Sequence, residues 1–176
     1  MGWRIILWFI RSFDYVHHDT LLEKLKFYGI SGNANKLIKS YLTNRHQRVK
    51  IKDNHYINYY SEWDSVKQGV PQGSVLGPLL FLLYINDLPD TINDMSSTVL
   101  FADDTNIICT HQDINVLNDN IETVLQKINK WLQANLLILN SKKTKIVHFS
   151  TKHPETLQAC IKYEDKYIEN TTILAF

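Results

Sequence analysis

The chain has 176 residues, 44% of them hydrophobic and 21% charged, which gives room for one domain with a buried core and excludes a disordered or fibrous protein. Its formal net charge of +1 excludes the strongly basic surface that announces nucleic-acid binding by charge alone, while leaving a locally basic groove open. Cys109 and Cys160, the only two cysteines, offer neither a disulfide framework nor a metal-ligand cluster and fit a reducing, intracellular setting.

In chain order, residues 3–10 are rich in Trp, Ile and Phe and suit a buried strand. The apolar stretch 5–10 lies between Arg4 and Arg11, but bulky and charged residues follow it instead of a small-residue cleavage site, so it does not read as a signal peptide. Thr20-Leu21-Leu22-Glu23 has capping-box spacing, and Leu21, Leu22, Leu25 and Tyr28 continue at helical spacing until Gly29. A second helix, over about 33–43, carries Leu37, Ile38, Tyr41 and Leu42 on one side. Residues 47–51 and 59–67 read as two strands joined by a polar turn at Asp53-Asn54. A helix buried on most sides follows Ser74 and stops near Asp87-Leu88-Pro89, where proline blocks continuation. Its apolar run holds about half of the ~20 residues a membrane span needs, so no membrane association is expected.

Residues 97–102 and 105–110 form a hairpin candidate around Asp103-Asp104. A long amphipathic helix follows, with Ile114, Leu117, Ile121, Val124, Leu125, Ile128, Trp131 and Leu132 recurring every three or four positions. Residues 145–149 alternate like a strand, and the last two dozen residues read as polar loops and short apolar pieces without a closing element. Strands interleaved with helices predict a single α/β or α+β domain.

Two motifs carry chemistry. A tight hairpin brings two adjacent aspartates near one site, which a regular strand cannot, since successive side chains alternate faces. Carboxylates are the hard oxygen ligands that Mg²⁺ accepts, and nucleotidyl transfer uses two such ions about 4 Å apart. Taken alone, an Asp pair is more often turn chemistry. The second motif is the loop Gly69-Val70-Pro71-Gln72-Gly73-Ser74-Val75-Leu76-Gly77-Pro78. Its glycines permit close backbone approach or unusual φ, its prolines fix the path, Gln72 offers a planar amide, and Ser74 is a natural N-cap for the next helix.

In this order and spacing the motifs resemble the palm of a reverse transcriptase of the non-LTR retrotransposon kind. Phe13-Asp14-Tyr15-Val16-His17-His18-Asp19, running on to Gly29, looks like the second half of the family's first palm motif. Residues 69–89 are similar to its second motif and 101–105 to its third. Trp131-Leu132, Asn135 and Leu139-Asn140-Ser141-Lys142-Lys143-Thr144 look like its fourth. The resemblance covers roughly residues 11–150. It implies an α+β, palm-like domain: an antiparallel sheet with a catalytic hairpin, helices packed on one face, and fingers and thumb largely absent. Residues 1–10 then form an atypical N-terminal segment and 11–176 a truncated palm.

Carried over position by position, the resemblance makes Asp103 and Asp104 the metal-binding catalytic carboxylates for two Mg²⁺ ions. It places Phe13 under the sugar of the incoming nucleotide, where it excludes a 2′-hydroxyl, and Gln72 and Gly73 beside that nucleotide and its template partner. Lys143 matches a lysine beside the nucleotide phosphates. His18 matches a histidine common in the first motif, with no role assigned. Packing roles compete with these: Phe13 as a core aromatic, His18 as a helix-start polar residue, Lys143 as a solvated charge. The implied activity is RNA-directed DNA polymerisation, with RNA template, DNA primer and deoxynucleotide as partners and a nuclear or cytoplasmic location.

One position breaks the pattern. The family's first motif opens with an aspartate six residues before the position of Asp14, and Trp8 stands there. An indole N–H only donates and cannot ligate a metal ion. Asp14 and Asp19 lie beyond the strand, near a helix start, and are not expected to substitute. Residues 1–10 are expected to derive from a frameshifted or misassigned start of a decayed or truncated element. Two functional classes therefore stand side by side: an enzyme class, the palm fragment of an RNA-directed DNA polymerase working by two-metal in-line attack, and a non-catalytic remnant that binds nucleic acid or protein, which Trp8 favours for this chain. An unrelated α/β domain with an Asp-Asp turn is the third reading.

Overall fold

A computed structural model describes residues 2–8, 13–54, 56–101, 104–140, 142–150, 162–163, 166–167 and 169–174. In chain order the elements are β1 (Gly2–Trp8), α1 (His18–Phe27), α2 (Gly32–Leu42), β2 (His46–Gln47), β3 (Lys50–Lys52), β4 (Asn58–Tyr60), β5 (Asp64–Ser65), α3 (Leu76–Ile85), α4 (Leu88–Ile92), β6 (Ser97–Phe101), β7 (Asp104–Thr110), α5 (Ile114–Ala134), β8 (Lys145–Ser150), β9 (Lys162–Tyr163), β10 (Lys166–Tyr167) and β11 (Glu169–Leu174). They form two compact units, Phe13–Leu83, and Met1–Ser12 together with Tyr84–Phe176. The mixture of helices with mainly antiparallel strands is the α+β class expected.

In the unit built from both chain ends, a five-stranded sheet has the order β11-β8-β1-β7-β6. β1 lies at its centre, antiparallel to β7 and to β8, and β6 closes one edge as a hairpin with β7. Along β7 the alternation is clear: Thr105, Ile107 and Cys109 are buried, while Ile108 on the other face is exposed. α4 and α5 pack against β6 and β7. The apolar stripe of α5 falls as its periodicity predicts, with Leu117, Ile121, Val124, Leu125, Ile128, Trp131 and Leu132 all buried. Asp113 caps it, its Oδ1 accepting the backbone N–H of Asn115 at 2.7 Å. The other sheet edge corrects the expected ending. β11 pairs parallel with β8, Glu169 opposite Lys145 through Leu174 opposite Ser150. This closing strand, and the one parallel pair it adds to an expected antiparallel sheet, depend on the free edge of β8, a non-local partner that local sequence pattern does not encode.

In the Phe13–Leu83 unit, α1 packs on α2, with Leu21, Leu22 and Leu25 buried. Gly29 stops α1 as expected. At φ +88 it lets its own N–H reach the Lys26 carbonyl and the Ile30 N–H reach the Leu25 carbonyl, a left-handed helix ending that glycine accommodates without a Cβ penalty. The capping box does not form. α1 begins two residues before Thr20, behind His17, and the Thr20 hydroxyl meets His17 Nδ1 at 3.2 Å. α2 turns Asn35 inward instead of Leu37, which is 72% exposed. The Asn35 amide donates to the carbonyls of Leu22 and Ile30, tying α2 to the end of α1. The two expected strands become a ribbon in which β3 pairs with β4 and β2 with β5, closed at Asp53, whose Oδ1 accepts the Ile57 N–H.

α3 is less enclosed than its uniformly apolar sequence suggests. Leu80, Phe81, Tyr84 and Ile85 are buried, yet Leu76, Leu79 and Leu82 are exposed. A helix apolar all round carries no signal for which face is covered. Pro89 opens the first turn of α4 instead of ending a longer helix. Among the described residues, no helix is long and apolar enough to cross a membrane.

Candidate active site

The residues singled out by sequence fall in both units. In the Phe13–Leu83 unit, the segment 13–18 and the loop 69–73 run against each other and are joined by backbone. Gly69 N–H donates to the Val16 carbonyl at 2.8 Å and Val70 N–H to the Phe13 carbonyl at 2.7 Å. Buried His18 adds a third tie: its Nε2 lies 2.8 Å from the Gly69 carbonyl oxygen, so Nε2 carries the proton and donates. The structure thereby gives His18 the role that sequence left open, holding the glycine loop to the segment that bears Phe13.

Gly69 is required at this junction. Its φ is +87, and a Cβ there would sit 2.9 Å from the Asp14 carbonyl oxygen, closer than packed carbon and oxygen approach. Gly73 also has positive φ, +77, but faces open space. At Gly77 a Cβ would overlap the Pro71 carbonyl oxygen. Ser74 caps the start of α3 as expected, its hydroxyl accepting the Gly77 N–H at 3.0 Å. That hydroxyl also donates to the Pro71 carbonyl and accepts from Tyr41 Oη.

Phe13 stacks on Phe81 of α3 with ring centroids 5.0 Å apart. Gln72 is exposed, and its Nε2 donates to Asp14 Oδ1 at 2.9 Å. Asp14 is the functional candidate that sequence reading passed over, having weighed it only as a metal ligand. The available signal was its place immediately after Phe13.

In the other unit, β6 and β7 form the expected hairpin, with Phe101 opposite Asp104. Asp104 is the first residue of β7; Ala102 and Asp103 lie outside the described residues. The alternation along β7 puts Asp104 on the face opposite Thr105, Ile107 and Cys109, the same side as exposed Ile108. Asp104 Oδ1 is buried and has no hydrogen-bond partner among the described residues. Such an orphaned carboxylate oxygen is costly unless a cation or donor meets it. The register of β1 then supplies the site's defining relationship: Trp8, the last residue of β1, is the direct cross-strand partner of Asp104.

Lys143 is exposed in the turn before β8, its backbone N–H donating to the Asn140 carbonyl at 3.1 Å. Cys109 is a free, buried thiol pushed up to about 11 by desolvation, so it is neither a thiolate ligand nor a nucleophile at neutral pH. Among the described residues, no group of three His, Cys, Asp or Glu is placed to hold a metal ion. One carboxylate with an unpartnered oxygen fits a share in one divalent cation. With tryptophan at its cross-strand position, the described residues do not fit a bridged pair.

The reverse transcriptase (RNA-dependent DNA polymerase) family matches residues 6–169. The chain is 31% identical over 166 residues to "Probable RNA-directed DNA polymerase from transposon BS" of Drosophila melanogaster, covering 88% of this chain and 17% of that protein. It is 31% identical over 150 residues to the corresponding protein of transposon X-element from the same organism, covering 80% and 15%. With the RNA-directed DNA polymerase of mobile element jockey, also from Drosophila melanogaster, it shares 28% over 148 residues, covering 81% and 16%. The chain thus spans about a sixth of the length of these relatives. Among solved structures it is similar to telomerase from Candida albicans in complex with a fragment of telomeric RNA, with a TM-score of 0.61 at 16% identity, covering 87% of this chain and 28% of that one. Apo telomerase from Candida tropicalis truncated from its C-terminal domain gives 0.58 at 16% identity, covering 81% and 30%. At such identity the likeness is one of fold.

Proposed function

The chain belongs to the reverse transcriptase family, on the branch carried by non-LTR retrotransposons, and from that premise we propose that it is the palm segment of a retroelement's RNA-directed DNA polymerase in which the metal site is broken at position 8. The parent reaction is attack of a primer 3′-hydroxyl on the α-phosphate of a deoxynucleotide directed by an RNA template. Family members carry it out with divalent metal ions, and Mg²⁺ is the ion proposed here. Residues 11–176 constitute the palm, with Asp103 and Asp104 at the catalytic hairpin.

The observation that carries this reading is the pairing of Trp8 with Asp104. It stands where the first-motif carboxylate of the family belongs by sequence, and directly across from one of the third-motif carboxylates. A metal pair shared by both motifs needs that juxtaposition. The orphaned Oδ1 of Asp104 supports a cation-facing role for the hairpin. Trp8 removes the ligand opposite it, a loss worth on the order of 10³-fold or more in rate.

Phe13 is assigned to the nucleotide sugar. Its ring is fixed against Phe81 and its backbone is tied to Val70, so it is pre-positioned. Gln72, oriented by Asp14, and Gly73, open on the side a Cβ would occupy, are assigned to the nucleotide and its template partner, and Lys143 to the phosphates. The partners proposed are RNA template, DNA primer and deoxynucleotide, in a nuclear or cytoplasmic setting.

The test is a chimera in which residues 6–169 replace the matching segment of the transposon BS polymerase. Primer extension on an RNA template is expected to be absent with Trp8, to appear with Trp8→Asp, and to vanish again with Trp8→Asp combined with Asp103→Ala. Extension that survives Asp103→Ala overturns the site.

A further inference from the structure

The β2–β5 ribbon carries chemistry that the metal and nucleotide assignments leave unused. Arg48 lies against two aromatic rings, its guanidinium carbon 4.1 Å from the Tyr60 centroid and 4.6 Å from that of Trp63. Lys50 Nζ is 5.7 Å from the Tyr60 centroid and Lys52 Nζ 4.4 Å from that of Tyr56. These rings are surface features: Tyr56 is 77% exposed, Trp63 59% and Tyr60 48%. Register explains part of the grouping: Lys50 pairs with Tyr60 and Lys52 with Asn58, which sets Lys50, Lys52 and Tyr60 on one face of the ribbon, and the contacts of Arg48 and Lys52 add Trp63 and Tyr56 to it.

We propose that this face is a binding site for single-stranded nucleic acid, with phosphates against Arg48, Lys50 and Lys52 and bases stacked on Tyr56, Tyr60 and Trp63. Charge complementarity selects the occupant. The ribbon from Arg45 to Lys67 holds five Lys and Arg against three Asp and Glu. Two of those acids are turned to backbone: Asp53 Oδ1 accepts from Ile57 N–H and Asp64 Oδ1 from Ser65 N–H. Lys50 and Lys52 repeat at about 7 Å along β3, the scale of successive phosphates on an extended strand. Tyr56 and Trp63 each meet a single one of these cations and are largely exposed, and stacking of a base on an exposed ring needs no particular sequence. A duplex offers phosphates but no free base faces, so it is the weaker ligand. The site stands apart from Trp8 and Asp104 in sequence and chemistry, and its binding requires no metal ion.

The test is fluorescence anisotropy of the whole chain, without divalent metal, against labelled oligothymidine, oligouridine and a duplex of equal length. Both single strands are expected to bind tighter than the duplex, and their relative affinities report whether RNA or DNA is the better ligand. Tyr60→Leu with Trp63→Leu is expected to weaken single-strand binding about tenfold or more. Lys50→Gln and Lys52→Gln are each expected to flatten the salt dependence by about 0.7 in log–log slope. Arg48→Lys keeps the charge and loses the planar stack, so it carries the test if circular dichroism shows the aromatic variant unfolded. The control is Lys36→Gln with Lys39→Gln on α2, expected to leave binding unchanged. Ribbon variants that bind as the parent does, or control variants that lose as much, overturn the proposal.

Discussion

Trp8 and Asp104 are direct partners across the antiparallel pairing of β1 with β7. Directly opposed residues in such a pair start from the same face of the sheet, with Cβ atoms about 4.5–5.5 Å apart, close enough for two carboxylates at these positions to share a cation. That register suits the metal site proposed for the Asp103-Asp104 hairpin, while the indole at position 8 only donates and cannot be a ligand.

The junction of segment 13–18 with loop 69–73 predicts unequal glycine effects. Gly69→Ala is expected to destabilise the protein by roughly 2 kcal/mol or more, because strain at positive φ adds to a collision with the Asp14 carbonyl. Gly73→Ala, strained in φ but unobstructed, is expected to cost about 1 kcal/mol. Urea midpoints measure both, and equal losses would show that contact at Gly69 is not what matters.

His18 holds the buried side of that junction. His18→Ala removes the donor and leaves the Gly69 carbonyl without it, for an expected cost of roughly 1–3 kcal/mol. His18→Gln, which keeps a side-chain N–H, is expected to recover part of that loss. A His18→Ala midpoint equal to the parent's would contradict the tie.

Cys109 gives the fold an alkaline limit. Burial raises its thiol to about 11 from the ordinary 9.0, so the unfolded chain releases this proton first as pH rises. Its contribution to stability is complete below about 9 and is lost between there and 11. Stability measured across that range is expected to fall, and Cys109→Ala to lessen the fall. At neutral pH the native thiol is expected to resist iodoacetamide until denaturant is added.

Much of this was legible in sequence where a local pattern coincides with a structural need. The stripe from Leu117 to Leu132 marked α5, Gly29 marked the end of α1, and Asp103-Asp104 between two apolar runs marked the hairpin. The failures have a common cause in non-local context. Thr20 has capping chemistry, yet α1 starts earlier because Val16 and His18 are anchored to Gly69. Leu37 yields the inward position to Asn35, whose amide satisfies two carbonyls across α1 and α2. β11 forms on an edge that nothing in its own six residues announces. At the site, the sequence showed that Trp8 was out of pattern. Only the register showed that it pairs with Asp104.

The most direct measurement is Mn²⁺ uptake by the chain itself, read from the free-ion signal in electron paramagnetic resonance. The parent chain is expected to leave the Mn²⁺ signal nearly undiminished. Trp8→Asp is expected to take up the ion, and Trp8→Asp combined with Asp104→Asn to release it. Equal uptake by the parent and by Trp8→Asp would contradict the account, because position 8 would then have no part in the metal site.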